Sequence, residues 1–264
     1  MKTSSFLFLA AQLLIPLVGH GEIKTEIVEY KQEGVVLEGF LAWDAKLAAK
    51  RPGVVVVHDW MGLGDGVKSR AVELAKLGYV TFAADIYGKG IHPADAKAAG
   101  DLAGLYKKDR LLLRRRAQAA LTILKKHKAV DTSRLAVMGY CFGGTAALEL
   151  ARSGAEMKGV VSFHGGLDSP TPQDAKNIKG KILALHGADD PFVPAEQVKA
   201  FEDEMRAGGV NWELVKYSKA VHAFTNPQAG NDNAKGAAYN AEADRRSWQA
   251  MQNFFNEIFA DKIK

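Results

Sequence analysis

A single cysteine, Cys141, occurs in the 264 residues of this chain. No internal disulfide can form, so the fold has to rest on an apolar core rather than on covalent staples. The sequence also lacks an internal repeat, a low-complexity tract and a long linker, which leaves one domain over residues 22–264. Charge of one sign is not in excess: 35 Lys and Arg stand against 30 Asp and Glu, for a formal net charge of +5 and a pI of about 9.1. The basic residues are interleaved with acidic and apolar ones, so nucleic acid is not an expected partner. The densest basic run, over 107–116 with 125–128 beyond it, carries Leu111, Leu112, Leu113, Ala117, Leu121 and Leu124 at near-helical spacing. It reads as the solvated face of an amphipathic helix in preference to an anion-binding patch.

Nor is there a long hydrophobic run. The apolar stretch over 6–18 is short for a membrane span and contains Pro16. With Lys2 ahead of it and Gly19-His20-Gly21 behind, residues 1–21 read as a secretory signal cut before Glu22, an uncleaved anchor being the second reading. A secreted or periplasmic location follows, with no stable membrane association once the signal is removed. A free thiol in an oxidising compartment is a liability unless it is buried or used. Cys141 therefore needs a reason to be there.

What the chain does have is 47% hydrophobic and 25% charged residues, the balance of one large α/β domain. Strands are expected over 23–30 and 34–43, a hairpin turning at Gln32-Glu33-Gly34, and then at Val54-Val55-Val56-Val57, a run apolar enough to be buried on both faces. A helix over 68–77 and a strand over 79–84 follow. The segment 93–128 is mostly helical, with a break near Gly104. Strand and helix then alternate through strands at 134–138, 159–163, 182–185 and 212–217, helices at 144–153 and 195–207, and a last helix over about 237–259. The pattern is a mostly parallel, doubly wound sheet of about eight strands with an N-terminal antiparallel hairpin and helices on both faces. Ligands in such sheets sit beyond the carboxyl ends of the strands.

Cys141 lies at such an end. Gly139-Tyr140-Cys141-Phe142-Gly143-Gly144 joins an apolar strand to an apolar helix, and a tight strand-to-helix turn needs glycines on both sides of a strained central residue. The helix N-terminus behind the sulfur favours a thiolate and a nearby oxyanion. After the strand at 182–185 comes His186-Gly187-Ala188-Asp189-Asp190-Pro191-Phe192-Val193-Pro194, where a carboxylate can orient a histidine. Asp190 is favoured by its spacing from Gly187 and Pro194; the alternative is Asp189, with Asp190 capping the next helix. Beyond the last strand stands Val221-His222-Ala223-Phe224. The order Cys141, Asp190, His222, each following a strand, is that of nucleophile, acid and base. The N–H groups of Phe142 and of Trp60, in the loop after the strand at 54–57, are the candidate oxyanion donors. Asp59 beside Trp60 faces the thiol on the functional reading and shapes the turn on the plainer one.

Together these segments, with His58-Asp59-Trp60-Met61-Gly62-Leu63 and Asp85-Ile86-Tyr87-Gly88, resemble the dienelactone hydrolase family over residues 54–224. The resemblance implies an α/β-hydrolase fold, a Cys-His-Asp triad that hydrolyses esters or lactones through an acyl-enzyme, and no cofactor. It also implies a carboxylate that meets the thiol until substrate displaces it, a place held here by Asp59. Family members that act on dienelactone grip its carboxylate with two arginines, whose positions fall near Lys89 and at Asn226. Lysine lacks the bidentate fork and asparagine is neutral, so dienelactone itself is not the expected substrate. Trp60, Tyr87, His164 and Phe224 are expected to line an aromatic pocket for a small apolar or aromatic ester. His58 and His164 as a metal pair lack a third ligand near in sequence, so no metal is expected. A thioesterase, a peptidase or a thiol-based redox or binding protein are the other readings; a monomer or weak homodimer is the expected state.

Overall fold

The computed structural model describes residues 21–260; all but Gly21 of the expected secretory signal lies outside them. Eight strands form one sheet in the order β1-β2-β4-β3-β5-β6-β7-β8. The hairpin β1 (Ile23–Gln32) and β2 (Val35–Asp44) turns at Glu33-Gly34, and β2 joins β4 (Val80–Ala84) antiparallel. From there β3 (Arg51–Val57), β5 (Val130–Tyr140), β6 (Gly159–Phe163), β7 (Lys181–Gly187) and β8 (Trp212–Tyr217) run parallel.

Both faces of the parallel strands are apolar, which is why these segments read as unbroken hydrophobic runs. On one face Val55, Val57, Phe82 and Val137 meet Leu113, Ala117 and Leu121 of α3 (Arg110–Lys126) and Ala147 and Leu150 of α4 (Phe142–Arg152). On the other, Val54, Val56, Met138, Val161 and Leu183 meet Ala71 and Leu74 of α1 (Asp65–Lys76) and Met251, Phe254 and Phe255 of α6 (Ala241–Phe259). Each Val, Leu, Phe or Met among them contributes about 1.5–3 kcal/mol by leaving water. The basic run over 107–116 spans the end of α2 (Ala96–Lys108) and the start of α3, and it is not simply the solvated face expected: Arg110 and Arg116 are buried beside Leu113 and Ala117.

Several boundaries differ from expectation, β5 for one starting at Val130 and not near Arg134, and two of the differences are capping effects. The break between α2 (Ala96–Lys108) and α3 falls at Asp109 instead of near Gly104, because the Asp109 carboxylate accepts from the Leu112 N–H and starts a new helix. Gly104 stays inside α2. The last helix begins at Ala241 and not near Ala237, since the Asn240 side chain accepts from the Ala243 N–H. Ala237 is instead paired with His222 in a short parallel bridge. Between β7 and β8 lies α5 (Ala195–Ala207).

Candidate active site

Cys141 stands between β5 and α4 with φ 54° and ψ −116°, a backbone conformation that side chains other than glycine rarely adopt. Its N–H donates to the Phe163 carbonyl of β6 (2.9 Å), which ties the strained residue to the neighbouring strand. The flanking glycines are steric necessities. A Cβ on Gly139 would lie 2.1 Å from the Gly143 carbonyl oxygen, and one on Gly143 would lie 2.2 Å from the Val57 carbonyl oxygen. So the turn holds sulfur at the carboxyl end of the sheet, half-buried, with the first N–H groups of α4 beneath it.

His222 reaches that sulfur from the loop after β8. Its own backbone is braced by bonds from its N–H to the Gly236 carbonyl (3.1 Å) and from the Ala238 N–H to its carbonyl (3.0 Å). The ring then sits with Nε2 3.0 Å from Cys141 Sγ and Nδ1 2.8 Å from Asp190 Oδ2. The Asp190 carboxylate is buried and its other oxygen accepts from the Phe192 N–H (2.8 Å), so its orientation is fixed. Asp189 is exposed, and Pro194 precedes α5 as its N-cap with no side-chain cap, so Asp190 serves the histidine and not the helix. Burial alone would lower the His222 pKa. The Cys141 charge, the hydrogen bonds the ring donates to Asp190 and Cys141, and the Asp190 charge outweigh it and lift the value to about 10. The arrangement can hold a cationic ring against the sulfur and pass a proton along one line.

Beside the sulfur lies the loop after β3. Asp59 Oδ1 accepts from the Met61 N–H (2.8 Å) and the Asp59 carbonyl from the Gly62 N–H (3.3 Å), so this carboxylate is engaged in its own turn. Among the described residues no hydrogen bond joins it to Cys141. The Trp60 N–H in the same turn and the Phe142 N–H at the start of α4 have no acceptor among the described residues. Trp60 is 38% exposed, whereas Tyr87 is buried and donates its hydroxyl to the Trp60 carbonyl (3.0 Å). Burial, then the charges of Cys141 and Asp59, push the Tyr87 hydroxyl's pKa up.

Several expected substrate contacts are placed elsewhere. His164, at φ 40°, is buried behind His222, its ring 5.3 Å from the His222 ring and its Nε2 2.8 Å from Thr225 Oγ1. Burial above all lowers its pKa well below the usual imidazole value. Phe224 is fully buried against His164 and Tyr217. Neither is a pocket wall. Lys89 is held by Glu29 and Glu38 of the hairpin, and the Asn226 side chain accepts from the Gln228 N–H (3.0 Å) and shapes a short 3-10 turn. The Lys89 ammonium is thus committed within the chain, as is the amide oxygen of Asn226. An apolar residue not expected at the site is placed there instead: Phe192, 59% exposed with its ring 5.4 Å from that of His222. Its only signal in the sequence is position, two residues after Asp190. His58 cannot serve as half of a metal pair, since Nε2 accepts from the Ile86 N–H and Nδ1 donates to the Asp59 carbonyl. Among the described residues no group of three or more His, Cys, Asp or Glu is placed to hold a metal ion.

Residues 37–259 match the dienelactone hydrolase family. The chain belongs to that family. The dienelactone hydrolase-like promiscuous phosphotriesterase P91, from metagenomic libraries, is 42% identical over 91% of this chain and all of its own, with a TM-score of 0.86. The structure named m3DLH is 41% identical with a TM-score of 0.88, again over 91% of this chain and 100% of that one. A protein of Aquifex aeolicus (strain VF5) provisionally named a carboxymethylenebutenolidase is 29% identical, covering 87% of this chain and 97% of its own length. Dienelactone hydrolase family membership makes the chain a carboxylic ester hydrolase on an α/β-hydrolase fold.

Proposed function

We propose that this enzyme hydrolyses small neutral esters or lactones by covalent catalysis at Cys141, with His222 as base and Asp190 as its orienting acid. The observation that carries the reading is the line Asp190 Oδ2, His222, Cys141 Sγ, with gaps of 2.8 and 3.0 Å. The sulfur attacks the carbonyl carbon, and the oxygen takes the electron pair between the N–H groups of Phe142 and Trp60. Collapse expels the alkoxide, which takes a proton from the His222 ring. His222 then removes a proton from water, whose oxygen attacks the thioester, and the carboxylic acid leaves as sulfur recovers its electron pair. Asp190 keeps the ring in the tautomer this sequence needs.

The exposed Trp60 and Phe192 favour an apolar acyl or alcohol group, while the pairing of Lys89 with Glu29 and Glu38 argues against a substrate carboxylate. A relative from Bradyrhizobium, 28% identical over 76% of this chain, carries a lactonase name, which supports keeping lactones in the substrate class. Residues 1–21 act as an export signal on this account, and mass determination of the secreted protein tests it. For the reaction, aryl esters of short neutral acids, a carboxylate-bearing lactone and a neutral phosphotriester form the panel, run on wild type, Cys141→Ala and Cys141→Ser. Neutral esters turned over by wild type and not by the alanine variant are the expected result. Equal inertness of both proteins, with the thiol still open to alkylation, would leave a redox or binding role instead.

A further inference from the structure

Behind the loop that carries Trp60 is a fully buried histidine with no part in the proton path. His58, the first residue after β3, has both ring nitrogens occupied. The Ile86 N–H donates to Nε2 (3.2 Å), so the ring proton sits on Nδ1, and that proton is given to the Asp59 carbonyl at 2.5 Å. Burial holds His58 below the usual imidazole value, in keeping with a neutral ring.

The Asp59 carbonyl belongs to the same peptide group as the Trp60 N–H. In a trans peptide the two point in opposite directions, so fixing the carbonyl on His58 and on the Gly62 N–H fixes where the Trp60 N–H points. The next carbonyl, of Trp60, is fixed in turn by the Tyr87 hydroxyl. The His58 and Tyr87 rings touch (centroids 4.7 Å apart), and both touch the Phe142 ring, at 5.9 and 5.4 Å. One packed unit of three rings therefore joins the residues that carry both candidate donors.

We infer that His58 is a positioning residue for the oxyanion site: it aims the Trp60 N–H by hydrogen-bonding the Asp59 carbonyl and keeps that donor in register with Phe142 by ring contact. The inference rests on the reading that these two N–H groups hold the substrate oxyanion. A donor that is misaimed loses worth chiefly in the transition state, where the charge develops. The effect belongs in the acylation rate and not in the reactivity of the sulfur.

Two reactions of the same thiol separate these. Acylation by an aryl ester passes through an oxyanion; alkylation by iodoacetamide needs Cys141 and His222 but builds no oxyanion. His58→Phe keeps a ring between Phe142 and Tyr87 and loses both hydrogen bonds. It is expected to slow single-turnover acylation roughly 10- to 100-fold with little change in KM, while alkylation and its pH profile stay within about twofold of wild type. His58→Asn, whose amide can donate from near the Nδ1 position, is expected to recover part of the loss. His58→Gln, which reaches the Ile86 N–H instead, is not. Should the phenylalanine variant fail to fold, Asn against Gln decides, with faster acylation by Asn expected. Wild-type acylation in His58→Phe, a parallel fall of acylation and alkylation, or Gln matching Asn would overturn the inference. A wild-type enzyme that forms no acyl adduct while still being alkylated would overturn the hydrolase reading itself, and this one with it.

Discussion

Two regions of the molecule bury charge, and they do so in opposite ways. Behind α4 a network closes on itself. Arg152, fully buried, binds both Glu204 oxygens (2.8 and 2.7 Å), Glu149 Oε1 (3.0 Å) and the carbonyls of Leu167 and Asp168. Arg114 holds the other Glu149 oxygen and Asp174, each at 2.7 Å, and Arg110 holds Asp168. At the carboxyl end of the sheet Asp190, His222 and Cys141 form a line instead, with each group bound to the next and the last one half-open. In the network each carboxylate faces arginines that never give up a proton, so it can pin α3, α4 and α5 together but cannot react. In the line the middle member is a titratable ring whose far partner is a half-open thiol, the nucleophile of the proposed mechanism, so the same burial leaves a group able to move a proton.

The sharpest way to separate the two is to break each. Cys141→Ala should remove turnover, by about 10⁵-fold or more in kcat, and leave the unfolding midpoint nearly unchanged. Glu149→Gln should do the reverse, costing about 3–5 kcal/mol of stability because Arg110, Arg114 and Arg152 lose a shared buried counter-charge, while the folded fraction keeps its kcat. Urea unfolding and aryl ester kinetics on both variants check the contrast. Next in size, Asp190→Asn keeps the hydrogen-bonding shape but favours the wrong tautomer, and kcat is expected to fall about 10³- to 10⁴-fold.

A pH profile sharpens the comparison further. The folded His222 value is raised from 6.5 to about 10, so its contribution to stability is complete below pH 6.5 and is lost as pH rises through about 10. Unfolding free energies across that window should fall with pH in wild type and stay flatter in His222→Gln, whereas Glu149→Gln should keep the wild-type slope. The smallest effect is expected at the mouth of the site. Phe192→Ala should raise KM for an aryl ester severalfold, about 1 kcal/mol, with kcat unchanged.

Part of this was legible in the residues themselves. The glycines around Cys141 announce a turn with no room for a side chain, and the van der Waals distances at Gly139 and Gly143 bear that out. The hairpin and the parallel sheet follow from alternation and from unbroken apolar runs. Side-chain direction in the loops was not legible. His164 and Ala223 have positive φ, 40° and 57°, and the chain reversal there turns His164 and Phe224 inward, although both stand after strands where a pocket is expected. Lys89 is bound by Glu29, some sixty residues earlier, a pairing that only the hairpin's position on the sheet creates. The caps at Asp109 and Asn240 are present as residue types, and the break falls at Asp109 and not at Gly104 because a half-buried glycine is tolerated within a helix while an aspartate cap starts one.

The most direct test is the mass of the protein quenched within the first turnover of an aryl ester, followed by a peptide map. One added acyl group per chain is expected, on the peptide containing Cys141, lost again at the rate of steady-state turnover. Turnover without any adduct on that peptide, or turnover that survives in Cys141→Ala, would contradict covalent catalysis at Cys141.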